Sequence, residues 1–207
     1  MIENYEILPN GVIHQKTVNK LKEYDVDYVD ERYNSYGEKG MQMAYLRLGY
    51  VVGAICDTIH SILDVGYGNG DFLRACNGVE NVYGNDISEY PLPDGVTFVE
   101  DILKDEYDVI TFFDSLEHFE DISFVKDLKA KYIVVSLPMC HNTSDEWFEN
   151  WKHRRPDEHL WHFNDQSLWN FMVECGYEHV NMTNIEDAIR KRSTNETNIL
   201  TGVFKKK

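Results

Sequence analysis

Three glycines in one short run, Gly66, Gly68 and Gly70 of ILDVGYGNG, are the first residues whose spacing suggests chemistry. Glycine tolerates positive φ and lets main-chain N–H groups approach a ligand, so the run suits a strand that turns into a helix around a polar group. An acid, Asp64, stands just before the turn, and two more end the next apolar runs: Asp86 in Gly84-Asn85-Asp86 and Asp101 in Glu100-Asp101-Ile102. A carboxylate at the carboxyl edge of a strand accepts two ribose hydroxyl hydrogens well, which gives that role to Asp86, with Ile87 beside it. Asp101 has two readings: acceptor of an adenine amino proton with Ile102 covering the ring, or cap of the turn that follows. A dinucleotide fingerprint would need glycine at its sixth position, where this chain has Asp71.

A second group lies in residues 138–164, too long a stretch for a routine connection. It holds Trp147, Trp151 and Trp161 together with His141, His153, His159 and His162. Aromatic rings exclude water and histidines move protons, so the segment reads as a lid over an acceptor site, with His141, Trp147, Trp151 and Trp161 lining it. Chemistry at a hydroxyl group needs a base near its proton, and the candidates in order are His118, His159 and His162. Arg154 and Arg155 would meet an anionic substrate or pair internally with Asp157 and Glu158. Metal binding is not expected, because His153, His159 and His162 with Asp157 and Glu158 match no strong zinc spacing. A purely structural cluster of tryptophans is the plainer alternative.

These residues need a sheet to hold them. Runs at 61–65, 82–86, 96–100, 107–113 and 132–138 are nearly continuous in Val, Ile, Leu and Phe, as strands covered on both faces are. Helices are expected from Met41 to about Ile59, from Gly70 to Asn77, from Phe119 to Lys131, and from an Asn164 cap to Cys175. The links after the second and third strands are short for parallel crossovers, so any helices there are expected to be vestigial. YEHVNMT (177–183) and TNILTGVF (197–204) read as an antiparallel pair flanking a charged segment, and residues 1–40 as an N-terminal cover with a turn at Pro9-Asn10-Gly11.

The 207 residues suit one α/β domain, and a net charge of −16 repels phosphate polymers and anionic membranes. No nucleic-acid or membrane partner is expected. The four cysteines form no Cys-x-x-Cys pair, and neither a basic leader nor a long apolar span is visible, which fits a soluble, cytoplasmic protein.

The order of an acid, G-x-G-x-G, and acids after strands two and three resembles the class I S-adenosylmethionine-dependent methyltransferases over about residues 41–204. Asp64, Gly66, Gly68 and Gly70 match the family's first motif, Asp86 its acid after strand two, and Asp101 its adenine-side acid. The segment DVITFFDSLEHFED is similar to the ubiquinone-biosynthesis type, with Leu-Glu-His after strand four, and places Asp114 on the donor side. The resemblance implies a Rossmann-like, doubly wound sheet of order 3-2-1-4-5-7-6 with strand 7 antiparallel. It also implies S-adenosyl-L-methionine as cofactor and S-adenosyl-L-homocysteine as product. The Asp/Asn-Pro-Pro-aromatic signature of DNA amino-group methylation is absent, since Phe113-Asp114-Ser115-Leu116 stands there. The expected activity is methyl transfer to a small-molecule or carbohydrate-like acceptor, at oxygen. The alternative is a donor-binding module, or a degenerate methyltransferase, acting through a protein partner.

Overall fold

The computed structural model describes residues 2–34, 37–190 and 196–207; part of the charged segment before the last strand, and three residues of the N-terminal cover, lie outside the described residues. The chain runs through β1 (Tyr5–Ile7), β2 (Ile13–Gln15), α1 (Val26–Asn34), α2 (Glu38–Ile55), β3 (Ser61–Val65), α3 (Asp71–Ala75), β4 (Asn81–Asn85), β5 (Thr97–Phe98) and β6 (Tyr107–Phe113). It continues with β7 (Ala130–Pro138), α4 (Asp145–Asn150), β8 (Trp161–His162), α5 (Asp165–Glu174), β9 (Tyr177–Thr183) and β10 (Ile199–Lys206).

Seven strands form one sheet in the order β5-β4-β3-β6-β7-β10-β9, with β10 antiparallel to both neighbours. Numbered from β3 as the first strand, this is the order 3-2-1-4-5-7-6. Alternation along the strands builds a core on each face. Leu63, Ile110, Phe112, Ile133 and Val135 join Leu168, Phe171 and Met172 of α5 on one side. Ile62, Val109, Phe113 and Val134 join Ala44, Val51 and Ile55 of α2 and Phe72 of α3 on the other. Because both faces are covered, the strands read as continuous apolar runs. No helix occupies the links from β4 to β5 or from β5 to β6, as their length suggested.

One expected helix does not form. Over 119–131 there is only a 3-10 turn, Ser123–Asp127, after which Leu128 is extended and β7 begins. The apolar residues there, Phe119, Ile122, Val125 and Leu128, recur every third position, and this spacing stacks on one side of a three-residue turn better than along an α-helix. The helix expected from Met41 starts earlier, at Glu38, and stops at Ile55, where Cys56 takes a left-handed conformation (φ 51°). By contrast, α5 begins at its expected Asn164 cap, which exchanges hydrogen bonds with Ser167 in a capping box.

The N-terminal cover has more order than its sequence suggested. β1 and β2 form a hairpin across the Pro9-Asn10-Gly11 turn, closed by Leu8 N–H to Val12 O at 2.8 Å. β8, from the expected lid, adds a third strand beside β2 through the pairs Ile13 with His162 and His14 with Trp161. Strands of two or three residues are too short to show a period, and the third one arrives from the far half of the chain. The N-terminal segment and residues 138–164 thus share one small sheet, which is tied to the turn after β6 by Leu160 N–H on Glu117 O at 2.8 Å and encloses an apolar cluster of Tyr5, Ile13, Cys140 and Phe148.

Candidate functional site

β3 and β4 end in register, Val65 opposite Asn85, so the glycine turn and Asp86 emerge side by side. Gly66 (φ 80°) donates its N–H to Asn85 O at 2.7 Å, and a Cβ there would lie 2.5 Å from Ser115 Cβ, so no side chain fits. Gly68 (φ 56°) donates its N–H to Asp86 Oδ2 at 2.9 Å, while Asp86 Oδ1 accepts the N–H of Ser88 at 2.8 Å. The two carboxylate oxygens carry about four lone-pair sites, so two acceptor directions remain after these bonds. Ile87 next to it is 75% exposed, an apolar side chain presented to whatever lies along this edge.

Asp64 is buried behind the turn rather than exposed in the crevice. Thr111 Oγ1 donates to its Oδ1 at 2.6 Å, and burial pushes its carboxyl up to about 7, against the pull of Thr111 and Arg47. Asp101 caps the following turn through Leu103 N–H on Oδ1 at 2.9 Å, and Ile102 packs against the core. The cap reading of Asp101 thus describes at least one of its oxygens.

Asp114 ends β6 with φ 55°, and its carboxylate is committed to guanidinium groups: Oδ2 accepts from Arg47 Nη2 at 2.7 Å and from Arg190 Nη2. Beneath it, fully buried Glu186 takes Arg47 Nε at 2.8 Å, Arg190 Nε at 2.9 Å and Ser136 Oγ at 2.7 Å. Burial alone would raise both carboxyls, but the two arginines hold each below the ordinary carboxylate range. Sequence reasoning missed Arg47, Glu186 and Arg190. A lone arginine inside the apolar stretch LRLGYVV was the available signal.

Tyr33, also missed, comes from α1. Its hydroxyl occupies the space that a Gly68 side chain would take, and its ionisation is opposed by burial and by the nearby charges of Asp114, Asp86 and Asp64. α1 therefore closes over the glycine turn.

On the lid side the residues separate into two groups. Trp161 is a core residue: it is 9% exposed, stacks on His14 at 4.0 Å, and donates Nε1–H to Phe119 O at 2.7 Å. His162 is enclosed by Tyr5, Phe148 and Trp151, and burial drives it down to about 3. Both depart from their expected roles, since a side chain sealed in the small sheet's core meets no acceptor and an imidazole that resists protonation is a poor base. His159 is similarly buried and driven down to about 2 by burial and neighbouring His118. Trp147 stacks on Trp151 at 5.4 Å, and His141 Nε2 lies 2.8 Å from Thr197 O. Arg155 pairs with Glu158 at 2.8 Å, and Arg154 lies over the Tyr5 ring, so both arginines have internal partners.

His118 remains partly accessible. Its Nδ1 lies 2.8 Å from Glu158 O and 2.7 Å from Tyr24 Oη, and its ring meets His159 edge to face at 4.6 Å. Glu117 beside it is 2% exposed with no hydrogen-bond partner for either carboxylate oxygen, and burial followed by repulsion from Asp114 raises its pKa well above the ordinary value. Its main-chain oxygen accepts Leu160 N–H at 2.8 Å, tying the β6 edge to the lid.

Residues 33–181 match the methyltransferase-domain family, more than half of the chain, and the protein belongs to that family. Its fold is the class I, Rossmann-like form. Among solved structures, magnesium protoporphyrin IX methyltransferase from Synechocystis PCC 6803, with bound S-adenosylhomocysteine, is 15% identical with a TM-score of 0.59, over 88% of this chain and 96% of that one. The 1,6-didemethyltoxoflavin-N1-methyltransferase of Burkholderia thailandensis, bound to 1,6-didemethyltoxoflavin and S-adenosylhomocysteine, is 14% identical with a TM-score of 0.60, over 98% and 99%. An S-adenosylmethionine-dependent methyltransferase from Clostridium acetobutylicum ATCC 824 is 10% identical with a TM-score of 0.60, over 87% and 97%. No curated protein matches significantly by sequence. No helix among the described residues is long and apolar enough to cross a membrane.

Proposed function

We propose that this protein transfers the methyl group of S-adenosylmethionine to an oxygen of a small-molecule acceptor. The observation that carries the reading is the junction of Gly68 N–H and Asp86 Oδ2 at the carboxyl edge of the sheet. It leaves acceptor directions on Asp86 for a ribose diol beside a turn in which only glycine fits. Ile87 and Ile102 flank the place of the adenine, and Tyr33 covers the turn from above.

In the transfer, the acceptor oxygen attacks the methyl carbon in line with the sulfonium. The carbon–sulfur bond breaks, its electron pair stays on sulfur, and a carbon–oxygen bond forms, leaving S-adenosylhomocysteine. The acceptor's proton passes to His118 Nε2, the ring nitrogen that keeps its lone pair when Nδ1 donates to Glu158 O. The aromatic rings of the lid keep water from competing with the acceptor.

Incubating the protein with S-adenosylmethionine carrying a labelled methyl group and a fractionated metabolite pool tests the reading. Label should pass to a small molecule as S-adenosylhomocysteine accumulates. Donor binding without either product would instead describe a binding module.

A further inference from the structure

We propose that Glu117, His118 and His159 bind one divalent first-row transition cation of the zinc, cobalt(II) or iron(II) kind. One ligand atom from each residue, a carboxylate oxygen and two ring nitrogens, lies within 4.8 Å of the other two. The Leu116–His118 turn at the end of β6 brings the first two and the lid brings the third, so no local sequence spacing reveals the set.

Two independent features point to a ligand. The first is the Glu117 carboxyl, buried with neither oxygen hydrogen-bonded, a costly arrangement that a coordinated cation would relieve. The second is the orientation of His118. A main-chain carbonyl can only accept, so the 2.8 Å contact of Nδ1 with Glu158 O puts the ring proton on Nδ1. Nε2 is left with its lone pair, 3.9 Å from Glu117 Oε1. Metal-ligating histidines are held in this way, with the distal N–H on a carbonyl and the other nitrogen on the metal; Tyr24 Oη, 2.7 Å from Nδ1, accepts the same N–H as the second branch of a three-centre bond. The main-chain bond from Leu160 N–H to Glu117 O holds the residue next to His159 against the turn that carries the other two ligands.

Two imidazoles and one carboxylate favour a borderline ion over magnesium or calcium, which prefer oxygen donors throughout. Bonds of about 2.1 Å would bring the ligand atoms to about 3.4 Å apart, within reach of side-chain rotation. Three protein ligands leave a coordination position for an oxygen of the acceptor, whose proton a bound cation would release to solvent, so that His118 then serves as a ligand and not as the base. That last role rests on the methyl-transfer reading; binding of the cation does not.

The test uses the full chain stripped with a chelator and titrated with cobalt(II) at pH 7.5, read by visible absorption and by metal analysis after desalting. One equivalent should give d–d bands that fade when zinc is added. Glu117→Gln and His159→Ala should each weaken cobalt binding by more than about 100-fold, and Tyr24→Phe by about 10-fold. His60→Ala, which removes a surface histidine facing Glu80, should bind cobalt as the wild type does. Calorimetry with S-adenosylhomocysteine confirms that each variant is folded and reports separately on the donor site. Substoichiometric cobalt in the wild type, wild-type affinity in Glu117→Gln and Tyr24→Phe, or loss of the bands in His60→Ala would overturn the proposal.

Discussion

Replacing Asp86 with alanine tests the donor site most directly. The carboxylate accepts Gly68 N–H at 2.9 Å and Ser88 N–H at 2.8 Å, and its remaining lone pairs would receive the ribose diol. A net contribution of about 1.5–3 kcal/mol for a hydrogen bond to a charged group makes about 2–3 kcal/mol a reasonable loss for the diol contacts, after water partly replaces them. That corresponds to about 30–150-fold in Kd for S-adenosylhomocysteine by calorimetry. Asp86→Asn separates contact from scaffolding, because its carbonyl can still accept Gly68 N–H while the charge is gone; it should lose roughly 1 kcal/mol. A 2′,3′-dideoxy analogue of S-adenosylhomocysteine completes the cycle and should bind wild type and Asp86→Ala nearly equally. Either an unchanged Kd in Asp86→Ala, or an equal loss for the natural ligand and the dideoxy analogue, would show that Asp86 only shapes the turn.

The ion cluster behind the site should be essential for stability. Glu186→Gln leaves Arg47 and Arg190 sharing one carboxylate and should cost about 3–5 kcal/mol in urea unfolding; a loss under 1 kcal/mol would mean that the cluster is dispensable. Asp64 gives a pH signature of the opposite kind. Its pKa rises on folding to about 7, so the folded state holds more protons than the unfolded one between about pH 4 and 7, and stability falls as pH rises through that window. Three pH units at 1.36 kcal/mol each set a ceiling of roughly 4 kcal/mol, and Asp64→Asn should flatten this limb of the stability profile; an unchanged slope would refute the burial argument. Asp114 and Glu186, held low by the arginines, contribute stability that disappears only as pH falls below the ordinary carboxylate range, so Glu186→Gln should remove part of the acid limb. Tyr33→Ala uncovers Gly68 and should speed association of S-adenosylhomocysteine in stopped-flow fluorescence; an unaltered rate would show that α1 does not limit access.

How much of this was legible in the sequence depended on how local each signal was. Strands β3 and β6 were read at their observed ends because a continuous apolar run bounded by polar residues is a property of one segment. The Asn164 cap was read for the same reason. Phe119, Ile122, Val125 and Leu128 misled because a spacing of three serves a 3-10 turn as well as a crowded helix face. The hairpin of β1 and β2 was invisible because its third strand, β8, lies in the lid. Around the candidate site, the adjacency of the glycine turn and Asp86 was legible because both follow the ends of neighbouring strands. Arg47, Glu186 and Tyr33 did not, since each gains meaning only from residues that the fold brings from elsewhere.

The same contrast explains why the lid histidines divide as they do. Four histidines and three tryptophans in one stretch look interchangeable when counted, but the small sheet sorts them by depth. His162 and Trp161 occupy β8 itself, so pairing with Ile13 and His14 draws both into packed surroundings, where a charge on His162 would be unsolvated. His159, two residues before that strand, is also buried, yet it faces His118 and the unpartnered Glu117 carboxyl rather than an apolar wall. An apolar enclosure leaves a buried imidazole nothing to do but pack. An enclosure that adds a buried carboxyl and a second imidazole, its proton held on the far nitrogen by Glu158 O, instead gathers three ligand atoms within 4.8 Å of one another.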